Sequence, residues 1–376
     1  MDFCYLDNAA TTKPFEELQQ LYTFTSTNFY NASALYNNAV NVRVKVEAAR
    51  ANLCKLLGGT HGNIIFTGSA TEANNLALGS INYRDKKLIV FVGEHPSVYN
   101  KAMQLKQQGT NLIVAGCDNN GKFVMPPDAD ILQAAAISVM HVSNETGVIN
   151  NIKAICGYAK KINPKIIVHV DGVQAFGKIN VDVLDLGVDM YTISAHKIHG
   201  PKGIAALWVK NGVNIKPMLI GGGQESGLRS GTENVFGVLA LEAAAKKVCN
   251  SLEVNFAKVQ EIKTQFLTEL SKQKIDYKVN GEQCSPYILN LTINGVRGEV
   301  LLHLLEAENI LISTGSACSS KKPDNRTLKA MGLTDTQIKQ TVRISFNAYN
   351  NVDIISVARI FAGVVSSALA RLIGKR

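Results

Sequence analysis

From about residue 45 to residue 250, short apolar runs alternate with stretches of helical spacing. The runs at 63–67, 87–92, 111–115, 136–142, 165–170, 190–194 and 204–209 are near-continuous in apolar residues. Unbroken apolar runs of that length fit strands covered by helices on both faces. Helical spacing over 71–78 and 99–107 separates some of them. The alternation predicts an α/β unit around a mostly parallel, doubly wound sheet. After about residue 250 the texture changes. An amphipathic helix over 254–272, a strand over 285–293, a helix over 298–307, a strand over 341–346 and a terminal helix from Asp353 predict a smaller α+β unit. There is no internal repeat and no low-complexity tract.

Composition narrows the class. The chain has 376 residues, 46% hydrophobic and 18% charged, which suits a globular protein of two joined domains. No apolar run of about 20 residues stands out, so no membrane-spanning helix is expected. The acidic start, Met1 to Asn8, does not read as a signal peptide. Seven cysteines, an odd number without a CxxC pair, argue against a disulfide framework or a zinc site and for a reducing, cytoplasmic setting. The net charge of +9 is scattered in short clusters such as Lys86-Lys87 and Lys321-Lys322. It reads as a solvated basic surface or as attraction to an acidic partner or RNA, and no aromatic-interleaved basic motif supports direct nucleic-acid readout.

Sheets of this kind bind ligands beyond the carboxyl ends of their strands. Lys197 follows the strand at 190–194 among histidines, small residues and glycines, close to Ser194 and His196. Burial favours the uncharged amine, and an uncharged amine forms a Schiff base with an aldehyde, pyridoxal phosphate being the general biological case. The turn Thr67-Gly-Ser-Ala-Thr-Glu72 offers helix N-terminal amides to a phosphate. Asp171 ends the run at 165–170; it can pair with a pyridine nitrogen or simply cap the next helix. Gln174 lies one turn on, Asn144 follows the run at 136–142, and His95 follows the run at 87–92, placed to stack on a planar ring or to cap a helix.

Two further features stand apart. Cys318 lies in a Ser/Gly-rich stretch beside Lys321 and Lys322, which predicts an exposed and partly ionised thiol. Arg343, flanked by apolar residues in its strand, needs an anion, either a bound carboxylate or an internal salt bridge. The glycine-rich segment 221–234 lacks the GxGxxG spacing of a dinucleotide site.

Together these motifs resemble the cysteine desulfurases of the NifS/IscS type, fold type I pyridoxal phosphate enzymes related to class V aminotransferases. The likeness runs through Tyr5 to Thr12, Ser69 to Glu72, Glu94-His95, Met140 to Gly147, His169 to Gln174, Ser194 to Lys197, Gly200 to Gly203, Arg229 to Thr232, Gly315 to Cys318 and Arg343 to Ser345. It implies a large cofactor domain over 13–250 and a small domain of 1–12 and 251–376 that carries the cysteine loop. It also implies site roles. Lys197 forms the Schiff base and moves the Cα proton; Asp171 pairs with the pyridinium; His95 stacks on the ring. Asn144 and Gln174 contact the ring oxygen. Ala70, Thr71, Ser194 and His196 hold the phosphate, with Thr232 from a second subunit of a homodimer. Asn8 and Arg343 grip the substrate carboxylate, and Cys318 is the nucleophile, with no metal. The implied reaction turns L-cysteine into L-alanine, leaving a persulfide for a sulfur-acceptor protein, either an iron–sulfur scaffold or a tRNA-thiolation enzyme. A selenocysteine lyase uses the same residues, and a sulfur-relay partner acting mainly through complex formation is a third reading. The chain departs from the family pattern at Thr67-Gly-Ser-Ala-Thr71, at Asn31-Ala-Ser-Ala34 and after Arg343.

Overall fold

In the computed structural model, which describes residues 3–314, 325–350 and 352–373, the apolar runs become strands of one large sheet. Short β1 (Cys4–Tyr5) precedes them. The sheet itself comprises β2 (Gly62–Thr67), β3 (Lys87–Phe91), β4 (Asn111–Ala115), β5 (Ala134–Met140), β6 (Ile167–Asp171), β7 (Met190–Ser194) and β8 (Ala205–Lys210). Their order is β2-β8-β7-β6-β5-β3-β4. The pairs β3–β4, β3–β5, β5–β6 and β6–β7 are parallel, whereas β8 is antiparallel to both β7 and β2. The reversal has a simple cause. Only residues 195–204 join β7 to β8, fewer than the dozen or so that a parallel crossover needs. Because β8 reverses between them, β2 and β7 run the same way. Every strand of the sheet except β8 therefore ends on one edge.

Some boundaries differ from the sequence reading. The helix expected from residue 99 begins at Pro96, because the His95 side chain caps it and proline needs no N–H in the first turn. The strand expected to reach residue 142 ends at Met140, and Val142 pairs instead with Ile149 in a single bridge.

A second core gathers Leu6 and Ala9 with apolar residues between Val259 and Ala368. Its sheet is β9 (Tyr277–Val279), β10 (Ile288–Ile293) and β12 (Thr341–Ser345), with β10 central and antiparallel to both neighbours. The N-terminal segment is stitched into this unit: β1 pairs with β11 (Ile310–Leu311), and Ser345 N–H donates to the Leu6 carbonyl at 2.7 Å. A few residues later the chain reaches the large sheet, where Thr12 N–H donates to His196 O at 2.9 Å. Residues 7–12 thus bridge the two cores beside the edge where the strands end.

The terminal helix Ile354–Ile373 begins beside Asp353, where the sequence predicts one. Its stretch Ile354–Arg371 is apolar and long enough to cross a bilayer by length and composition. One face nevertheless buries Ala358, Phe361, Ala362 and Val365 in the small core, where Phe361 meets Phe266 edge-on at 5.5 Å. Replacing Phe361 by Ala is expected to destabilise this unit by about 3 kcal/mol or more, read as an earlier denaturant transition; an unchanged transition contradicts the packing.

Candidate active site

At the shared edge, a cleft opens in which the centre of a water molecule has about 160 Å³ to move. Ala70, Thr71, His95, Asn144, Asp171, Gln174, His196, Lys197 and Arg343 all line it. Residues far apart in sequence meet there because β2, β3, β5, β6 and β7 end at the same edge, while Arg343 reaches it from within β12.

Lys197 closes a single helical turn, Ala195–Lys197, directly after β7. It is half-buried, and its Nζ donates to the carbonyls of Ala9 at 2.6 Å and Ala10 at 2.7 Å. Those carbonyls belong to the bridging segment, so the amine is aimed at the junction of the two cores. Asp171 is the last residue of β6. Its Oδ2 accepts from Asn74 Nδ2 at 2.8 Å and its Oδ1 from Val173 N–H at 3.1 Å, so the carboxylate both faces the cleft and caps its own turn. The following position must be glycine: a Cβ on Gly172 would lie 2.0 Å from the Tyr191 ring.

Ala70 and Thr71 open the helix Ala70–Gly79, capped by Ser69 Oγ accepting from Glu72 N–H. Amides at such a terminus suit an anion. The turn is braced by Glu72, which accepts from Gly68 N–H at 2.8 Å and from Arg229 Nε at 2.7 Å. Burial, followed by the charge of Lys197, pushes His196 down to about 4, so it is neutral near pH 7. Gln174 Nε2 donates to Ala9 O at 2.9 Å.

Arg343 is 1% exposed and meets the internal salt-bridge reading of the sequence. It lines the cleft, and it holds an internal pair with Asp7 at 2.8 Å while donating to Asn144 O at 2.9 Å. Three expected residues lie elsewhere. Asn8 borders an adjoining small cavity and spends its amide on Tyr5 O, Ser345 O and Asn347. Ser194 is buried at the end of β7 without lining the cleft, and Thr232 lies by a separate depression with Arg229 and Glu233. Cys318 falls outside the described residues.

The class-V aminotransferase family matches residues 4–357. Cysteine desulfurase IscS 1 of Archaeoglobus fulgidus is 34% identical over 368 residues, covering 95% of both chains. Cysteine desulfurase IscS of Dictyoglomus turgidum is 33% identical over 92% of this chain and 90% of its own length. A NifS-like protein from Rickettsia africae superposes with a TM-score of 0.88 at 28% identity, over 97% of this chain and 100% of that one. The chain belongs to the class-V aminotransferase family.

The family cofactor is pyridoxal phosphate, and the residues present fit it. The cleft pairs an amine with a carboxylate and helix N-terminal amides, the groups needed for the aldehyde, the ring nitrogen and the phosphate. When bound, pyridoxal phosphate supplies an aldehyde for the amine and a ring that withdraws electrons from Cα.

Sequence reasoning missed two buried ionisable groups beside this cleft. Glu94, between β3 and His95, is 2% exposed; burial, then the charge of Asp171, raises its carboxyl well above the usual range, against the pull of Arg326. Lys178, one turn after Gln174, is 6% exposed and donates to Gln174 Oε1 at 2.7 Å. Burial, then Lys197 and Arg343, pushes Lys178 down to about 7. Its i+4 spacing from Gln174 was the available signal.

The Lys178 shift has a testable sign. Between about pH 7 and the ordinary lysine value the unfolded chain binds the extra proton, so stability rises with pH in that window. Lys178→Met removes this term. The melting temperature of the cofactor-free variant should exceed that of the parent most at pH 7 and below, with the gap closing towards pH 10; a pH-independent gap contradicts the assignment.

Proposed function

We propose that this protein is a pyridoxal phosphate-dependent cysteine desulfurase that converts L-cysteine to L-alanine and passes the sulfur on as a persulfide of Cys318. The observation that carries the reading is the meeting of Lys197, Asp171, His95 and Arg343 in one cleft, in a chain matched along 95% of its length by a protein named cysteine desulfurase. A further neighbour, SspA, was solved in complex with cysteine and superposes with a TM-score of 0.78 at 27% identity.

The chain's own groups divide the work. The Ala70 and Thr71 amides, with Ser194, neutral His196 and a second subunit's Thr232, would hold the phosphate. Asp171, kept in place by Asn74, would hold the proton on the ring nitrogen; His95 would cover the ring, and Asn144 and Gln174 would meet its oxygen. Arg343 and Asn8 would take the substrate carboxylate, Arg343 exchanging Asp7 for it. Lys197 would move the Cα proton. The Cys318 thiolate would attack the substrate sulfur: a sulfur–sulfur bond forms as the carbon–sulfur bond breaks, the electron pair stays with Cβ, and protons added to Cβ and Cα complete alanine.

Burial supports giving the sulfur chemistry to Cys318. It raises Cys4 and Cys249 to about 11 and Cys156 to about 12, and lifts Cys54, Cys117 and Cys284 as well, so these thiols stay protonated near pH 7. The reading includes a homodimer, a cytoplasmic setting and an acceptor protein that serves iron–sulfur assembly or tRNA thiolation. The basic surface supports an acidic docking face on that acceptor.

Cys318→Ala should retain the visible absorbance of the bound cofactor yet yield neither alanine nor sulfide from L-cysteine and a reductant. Normal turnover in that variant would sink the nucleophile assignment.

A further inference from the structure

Asn74 is fully buried one turn into the helix Ala70–Gly79. Its Nδ2 donates to Asp171 Oδ2 at 2.8 Å and to Ser97 Oγ at 2.9 Å. The amide cannot be reversed: Oδ1 in place of Nδ2 would face a carboxylate, acceptor against acceptor. The orientation comes at a cost, since the buried Oδ1 has no hydrogen-bond partner among the described residues.

The chain of bonds continues from Ser97. Its Oγ lies 2.8 Å from His95 Nδ1, and its backbone N–H donates to the same nitrogen at 3.1 Å. A backbone N–H can only donate, so Nδ1 is an acceptor and the neutral imidazole carries its proton on Nε2. The Ser97 hydroxyl accepts from Asn74 and is thereby placed to give its own proton to Nδ1. His95 is also the N-cap of the twelve-residue helix Pro96–Gln107, whose positive end favours an accepting nitrogen there. Asp171 and His95, which enter the cleft from β6 and from the turn after β3, are thus joined through two side chains that sequence reasoning passed over.

We propose that Asn74 is a positioning residue that holds Asp171 and, through Ser97, His95 as one hydrogen-bonded unit, with His95 set as its Nε2–H tautomer. The consequence for the reaction rests on reading the cleft as the pyridoxal phosphate site. The carboxylate and the imidazole would then address the cofactor in a fixed relation, and the imidazole would offer an N–H, not a lone pair, from Nε2.

Two readouts on the full-length protein test this, neither of them turnover. The first is nitrogen NMR of histidine-labelled protein without cofactor. The parent should show His95 as the Nε2–H tautomer, and its Nδ1 resonance should move in both Asn74→Leu and Ser97→Ala. The second is the dissociation constant of pyridoxal phosphate. It should rise about tenfold or more in Asn74→Leu, as expected for loss of a hydrogen bond to a charged group, and less in Ser97→Ala. The double variant should resemble Asn74→Leu alone. An Nδ1–H tautomer in the parent, or losses that multiply in the double variant, overturns the proposal. If Asn74→Leu fails to fold, the Nδ1 shift in Ser97→Ala still decides it. A parent that binds no pyridoxal phosphate defeats the functional reading instead, and the tautomer measurement still judges the relay.

Discussion

The site exists because the strands of the large sheet other than β8 point the same way. Each delivers its last residues to one edge, and side chains as distant in sequence as Thr71, Asp171 and Lys197 come within one cleft. The reversed strand β8 preserves this arrangement: it turns back after a short connection and lets β2 run alongside β7 in direction. The N-terminal segment then closes the edge. It is anchored in the small core by Leu6 and presents the Ala9 and Ala10 carbonyls to Lys197. The Lys197 amine is therefore held by the junction between two cores and by neither alone.

Electrostatics at this junction are tuned by burial more than by pairing. Arg343 has Asp7, and Asp171 has the Asn74 amide. Among the described residues Lys178 meets a neutral amide oxygen and a distant ring, and Glu94 is driven towards its neutral form by burial and by Asp171. Groups that lose their charge this way cost less to bury than isolated ions.

The strands, the sheet edge and most of the cleft were legible in the sequence because they follow from apolar runs and from the residues just after them. His95, Asp171 and Lys197 could be placed this way without any knowledge of tertiary contacts. Asn74, Ser97 and Lys178 could not. Each sits inside a helix or turn where Asn, Ser and Lys are unremarkable, and their importance comes from partners on other strands. The same limit applies to Asn8, which reaches the site region but spends its amide on Ser345 O and Asn347. The terminal helix was legible too, since it begins beside the expected Asp353; which of its residues serve the small core is shown by packing such as that of Phe361 against Phe266.

Lys197, directly after β7, is proposed as the amine that binds the cofactor, although Lys178 is buried nearby and pushed down to about 7. Borohydride reduction of the protein loaded with pyridoxal phosphate, followed by peptide mass mapping, addresses this directly. The account predicts a single stable adduct on Lys197. An adduct on Lys178, or none on the peptide containing Lys197, would contradict it.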